Sequence, residues 1–130
     1  MDVIAYDPYQ HKDIFDELNV KRVDLDELFA RADCVSVHTP LTGETHHLLS
    51  APEFAAMKDD AMVVNTARGP IVDKRALVEA VEERKLWGAG LDVFETEPPK
   101  DTPAFESDRI VVSPHHAGMS EPAEQQCIEI

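Results

Sequence analysis

Five short apolar runs in this chain each stop on residues able to bind a ligand or move a proton. Val3–Tyr6 ends on Asp7, and Cys34–Val37 on His38-Thr39-Pro40. Ala61–Val64 ends on Asn65-Thr66-Ala67-Arg68-Gly69, Ala89–Leu91 on Asp92, and Ile110–Val112 on Ser113-Pro114-His115-His116. Loops are polar in any protein, so one such ending carries little weight. Five in series, with an Arg, two Asp and a His among them, point to one shared crevice. A guanidinium at Arg68 can hold a carboxylate in a bidentate pair and polarise a neighbouring carbonyl. His115 is the natural proton carrier, since an ordinary imidazole titrates near ~6.5. Glu97 can orient that ring and stabilise its imidazolium form. Each has a plainer reading at this level: Arg68 as a surface cation among many acids, Glu97 as a solvated loop carboxylate, His115 as a turn residue.

The doublets His46-His47 and His115-His116 invite a metal reading, but adjacent residues in an extended segment point opposite ways. No carboxylate stands at ligand spacing in "THHLL", so no metal site is expected. Cys34 and Cys127 fit no metal spacing either. Cys34 lies inside an apolar run, and both read as buried or incidental thiols of a reducing cytosol.

The elements that must position these groups follow a rhythm. The apolar runs are three or four residues long and mostly β-branched or small, as in strands buried on both faces of a parallel sheet. Helical segments with readable starts lie between them. Ser50-Ala51-Pro52-Glu53 is a capping box, with Leu49 and Phe54 placed as its hydrophobic staple. Asp73 caps a segment from Lys74 to Leu86, in which Leu77 and Val81 share a face. Asp24 with Glu27 marks another start, and Ser120 opens a last helix with Pro122 in its first turn. Glu97-Pro98-Pro99 to Pro103 reads as a surface loop. Alternation of strand and helix predicts a doubly wound α/β sheet, in which ligands bind outside the carboxyl ends of the strands.

Composition narrows the function. Twenty-six acids against 12 bases in 130 residues give a net charge of −14. That charge disfavours nucleic acid and anionic membranes as partners through repulsion. The acids are dispersed, as suits a high-salt cytoplasm that screens them. No apolar run approaches the ~18 residues of a membrane span, and no signal peptide is evident, so a cytoplasmic location is expected.

Asp7 has a specific reading within such a sheet. A carboxylate at the end of the second strand of a dinucleotide fold accepts hydrogen bonds from both ribose hydroxyls of NAD and repels the 2′-phosphate of NADP. No Arg in "DPYQ" welcomes that phosphate, so NAD is favoured. The plainer alternative is a strand-end Asp opening a turn with Pro8.

Four blocks, "VHTPLTGETHHLLS", "MVVNTARGPIVD", "GAGLDVFETEPP" and "VVSPHHAGMS", together resemble the NAD-dependent D-isomer-specific 2-hydroxyacid dehydrogenases, D-3-phosphoglycerate dehydrogenase among them. The blocks fall in that family's order over nearly the whole chain. The resemblance implies a 2-hydroxy or 2-keto acid substrate, whose carboxylate and carbonyl Arg68 would bind. Glu97 would pair with the catalytic His115, which would give a proton to the keto oxygen or take it back. Asp7 would hold the ribose, Thr39, Thr66 and Ala67 would line the cofactor, and Asp92, Ala117 and Gly118 would lie at its nicotinamide end. It also implies a homodimer joined through the cofactor domain.

The resemblance has a gap. The glycine fingerprint G-x-G-x-x-G should lie ~20 residues before the ribose acid, whereas six residues precede Asp7 here. Residues 1–130 are therefore expected to be a partial, Rossmann-like cofactor domain lacking its first strand and glycine-rich turn, with no substrate domain and with Met1 an internal position. The strands ending at Asp7 and Val37 would then lose their link to the other three, and either pair across the gap or pack loosely. Weak NAD binding and little turnover are expected of the chain by itself. The alternative function is a non-catalytic NAD-binding or oligomerisation remnant.

Overall fold

The computed structural model describes residues 1–100 and 103–119. The segment that Ser120 was expected to open as a helix, and Cys127, lie outside the described residues. Along the chain run β1 (Ile4–Ala5), α1 (Lys12–Glu17), β2 (Lys21–Arg22), α2 (Leu25–Arg31), β3 (Cys34–Val37) and α3 (Ala51–Ala56). There follow β4 (Ala61–Asn65), a single 3₁₀ turn Gly69–Ile71, α4 (Lys74–Glu82), β5 (Leu86–Leu91), a second 3₁₀ turn Pro103–Phe105 and β6 (Ile110–Val112).

Among the described residues all strand pairings are parallel: one sheet has the order β3-β4-β5-β6, and β1 pairs only with β2. The expectation that the Val37 strand would be stranded with the Asp7 strand is corrected here. β3 pairs with β4 in unbroken register from Cys34–Met62 to Val37–Asn65. The partner of β1 is instead Lys21–Arg22, a charged and exposed pair that a search for apolar runs passes over.

Register sorts the side chains. Val35, Val63, Ala89 and Ile110 stand in one row across the sheet and face the helices. There they meet Phe29 of α2, Phe54 of α3 and Leu77 and Val81 of α4 in a single apolar core. The alternate row, Ser36, Val64, Gly90 and Val111, points the other way, and Cys34, Ser36, Met62 and Val111 are exposed. Burial on both faces was expected; among the described residues the helices cover one. Cys34 is accordingly an exposed free thiol and not a buried one.

The helix starts follow local chemistry. The Asp24 and Asp73 carboxylates accept the Glu27 and Ala76 amides at 2.7 and 3.1 Å. Glu53 accepts the Ser50 amide at 3.0 Å, with Leu49 and Phe54 both buried beside it. The helix ends were less legible. α4 stops at Glu82 and not at Leu86, because Arg84 turns left-handed (φ 60°) and Lys85 donates back to the Ala80 carbonyl at 2.9 Å. That is a Schellman ending without its usual glycine. Asn19 (φ 53°) and Val20, which donates to the Phe15 carbonyl, close α1 the same way. Leu86 is freed to begin β5.

Candidate active site

The carboxyl ends of β3 to β6 all open on one edge of the sheet, and the loops leaving β4, β5 and β6 converge there. Asn65 ends β4 and is buried. A buried amide is stable only when both its ends are satisfied. Its Nδ2 donates to the Arg68 carbonyl at 3.0 Å and its Oδ1 accepts the Ala67 amide at 3.1 Å. These two bonds fold Thr66-Ala67-Arg68 into a tight turn and leave the Arg68 side chain exposed at the rim, where Nη1 donates to the Ala67 carbonyl at 2.6 Å.

Gly69 brings the next loop in. A Cβ at this position would sit 2.0 Å from the Phe94 carbonyl carbon and 2.4 Å from the Glu95 amide nitrogen. Backbone therefore lies on backbone, and the Arg68 turn touches the segment that leads to Glu97. Glu97 uses both oxygens: Oε1 accepts the Phe94 amide at 3.0 Å and Oε2 accepts Nδ1 of His115 at 2.8 Å. A carboxylate only accepts, so Nδ1 carries hydrogen and Nε2 is the nitrogen that faces outward chemistry. The His115 hydrogen bond, then the Phe94 amide and the positive charges of His115 and Arg68, hold the Glu97 carboxyl below the usual glutamate range.

His115 sits on a turn after β6 with φ 58°, a conformation a non-glycine residue adopts only when its surroundings impose it. Asp92 holds the residues on either side of His115. This buried carboxylate accepts the Ser113 hydroxyl at 2.5 Å, the His116 amide at 2.9 Å and the Ala117 amide at 2.8 Å. Burial by itself would raise its carboxyl, but Ser113 and the two amides outweigh burial, and Asp92 is held below the usual aspartate range. Asp92 was expected to stand at the nicotinamide end; in this structure its hydrogen bonds go to the turn that carries His115. Ala117 and Gly118 follow on that turn, exposed.

The remaining expected positions lie along the same edge or on the neighbouring unit. Thr39 and Thr66 follow β3 and β4, both partly exposed. Asp7 follows β1, and its Oδ1 accepts the Tyr9 and Gln10 amides at 2.9 and 3.2 Å. The turn-opening role weighed for Asp7 is thus real and occupies one oxygen. Among the described residues the other oxygen has no hydrogen-bond partner. That oxygen is left to accept from a ligand, and turn 115–118 is exposed. The chain's five glycines include no G-x-G-x-x-G. Asn65, Gly69 and Ser113 position these loops, a role that no local sequence pattern assigns them. The nearest signal is an amide ending an otherwise apolar strand.

A parallel α/β sheet with its polar groups gathered at the carboxyl edge defines a nucleotide-binding type of domain. The chain matches the model of the D-isomer-specific 2-hydroxyacid dehydrogenase NAD-binding domain over residues 1–117, and it belongs to that family. It is 43% identical over 126 residues to a D-3-phosphoglycerate dehydrogenase of Methanocaldococcus jannaschii, covering 96% of this chain and 24% of that protein. The apo structure of Rhodotorula graminis D-mandelate dehydrogenase aligns with a TM-score of 0.89 at 37% identity, over 99% of this chain and 38% of that one. A Lactobacillus jensenii D-lactate dehydrogenase solved with NAD+ aligns at 0.85 and 32% identity, over 98% and 42%. The chain thus spans about a quarter of the length of the first curated relatives it matches.

Proposed function

We propose that this chain is part of the NAD-binding domain of a dehydrogenase that interconverts a D-2-hydroxyacid and its 2-keto acid. Arg68, Glu97 and His115 stand at the reacting end in this reading. The observation that carries it is the Glu97–His115 pair, held at 2.8 Å by two independently anchored loops, with the Arg68 cation near enough to lower the Glu97 carboxyl. Asp7 takes the ribose of NAD, while Thr39, Thr66, Ala67, Asp92, Ala117 and Gly118 line the rest of its path. Bound NADH supplies the hydride that adds to the carbonyl carbon. The Arg68 guanidinium binds the substrate carboxylate and draws charge onto the carbonyl oxygen. His115 gives that oxygen the proton on Nε2, and in the oxidative direction takes it back. Glu97 stabilises the imidazolium that makes the proton available. A non-catalytic remnant would have no use for this pair.

The reading extends to a homodimer through this domain, checked by sedimentation, and to a cytoplasmic location. No helix among the described residues is long and apolar enough to cross a membrane.

The test is addition of glyoxylate or pyruvate to the chain in the presence of millimolar NADH. The Arg68 guanidinium and His115 imidazole resonances are expected to move together, and Arg68→Leu to remove the response of His115. No response from either would overturn the reading.

A further inference from the structure

His47 stands away from the reacting groups, yet it touches both loops that carry them. Its backbone amide donates to the Pro70 carbonyl at 2.8 Å, two residues after Arg68. The next residues continue the stitch: Leu49 donates to the Ile71 carbonyl at 3.2 Å, and its own carbonyl accepts the Asp73 amide at 2.9 Å. The side chain reaches the other loop. Nε2 lies 3.3 Å from Oε1 of Glu95, two residues before Glu97, and Nδ1 lies 3.9 Å from Oδ2 of Asp73. Asp73 also caps α4 through Oδ1. The ring stacks on His46, with centroids 4.1 Å apart.

Backbone conformation sharpens the point. His47 has φ 52°, where a side chain costs energy and glycine would be free of strain. A histidine here spends that strain on contacts only its side chain can make. Gly69 holds the Arg68 turn against Phe94 and Glu95 from the inside; the imidazole pins Glu95 from the outside. The pair at Glu97 needs the segment held on both sides, because Glu97 itself is half-exposed and reaches His115 from the end of that segment.

We propose that His47 is a positioning residue for the acid–base pair: it ties the Arg68 loop to the Glu95–Glu97 segment and so fixes Glu97 under His115. The proposal rests on the functional reading above for its meaning, but its test does not use activity.

The experiment follows the Glu97 carboxyl by carbon NMR during a pH titration of the full chain. In the unaltered chain Glu97 should titrate below an ordinary glutamate. In His47→Gly, which suits the left-handed backbone and keeps the fold, its midpoint should rise toward the ordinary glutamate range while the thermal midpoint of the core holds or increases. His47→Gln, which retains a donor for Glu95, should raise it less. A His47→Gly chain whose core is intact and whose Glu97 titrates as in the unaltered chain would overturn the proposal, because a residue that merely shaped its own turn would leave Glu97 untouched. An ordinary titration of Glu97 in the unaltered chain would overturn the Glu97–His115 pair, and the functional reading with it. A response of Arg68 and His115 to keto acid that survives His47→Gly, with Glu97 displaced, upholds both.

Discussion

The two-stranded unit spanning residues 4–22 is held by strands of two residues each and one buried helix side chain, Phe15, with Val23 following. In the four-stranded sheet, by contrast, Val63, Ile71, Leu77, Val81 and Leu86 have no exposed surface and share one core. The candidate groups divide between these regions. Asp7 rides on the thin unit, whereas Arg68, Glu97 and His115 ride on the packed one. In the function proposed, Glu97 and His115 must be fixed within hydrogen-bond reach, and a dense scaffold holds side chains that closely. The Asp7 carboxylate, proposed to meet a flexible sugar, tolerates a looser support. On that proposal the difference in packing tracks the difference in geometric demand.

Core truncation tests this contrast most strongly. Leu77→Ala should cost about 3–5 kcal/mol, enough to collapse a domain of this size, and should abolish the Glu97–His115 pair with it. Phe15→Ala should melt residues 4–22 while the amides of β4 and β5 keep their protection in hydrogen exchange. Equal loss of protection in both regions after Phe15→Ala would break the comparison.

Gly69→Ala comes next. The new methyl would overlap Phe94 and Glu95 backbone, which no side-chain rotation relieves. A cost of about 1–3 kcal/mol is expected in thermal unfolding. Glu97 should move away from Arg68, seen as new carboxyl shifts at Glu97 with the core resonances unchanged.

Acid provides a gentler probe of the packed region. The folded chain holds Asp92 below its usual range, so the unfolded chain binds that proton more readily. The stabilisation is complete above the ordinary aspartate value of ~3.9 and is lost as pH falls from there through the lowered folded value. Turn 113–117 should loosen in that window, measured by exchange of the His116 and Ala117 amides. Asp92→Asn should loosen it at neutral pH, at about 1–3 kcal/mol, because the amide cannot accept all three bonds. A turn that stays ordered in Asp92→Asn would show that Asp92 does not carry it.

Legibility divides along the same line. β3, β4 and β6 could be read because each is a short apolar run rich in β-branched residues, although one of its faces is left open. β2 could not, since Lys21 and Arg22, which pair with β1, are charged and exposed. The early end of α4 was hidden because Arg84 takes the left-handed place that glycine usually advertises. Arg68, Glu97 and His115 stand out in the sequence as strand-end and loop residues of suitable chemistry, and the resemblance implies their roles. What joins them, Asn65 beneath one loop, Gly69 between two and Asp92 beneath the third, depends on residues far apart in sequence coming into contact, and no local pattern encodes that.

In the function proposed, a dinucleotide lies along the carboxyl edge of the sheet and brings its reactive end to the Glu97–His115 pair. Amide shifts of the chain titrated with NADH test this most directly. Millimolar binding is expected, with shifts at Asp7, Thr39, Thr66, Ala67, Ala117 and Gly118 and none at Trp87 near the opposite end of β5. Shifts confined to other surfaces, or none at those positions at millimolar NADH, would contradict it.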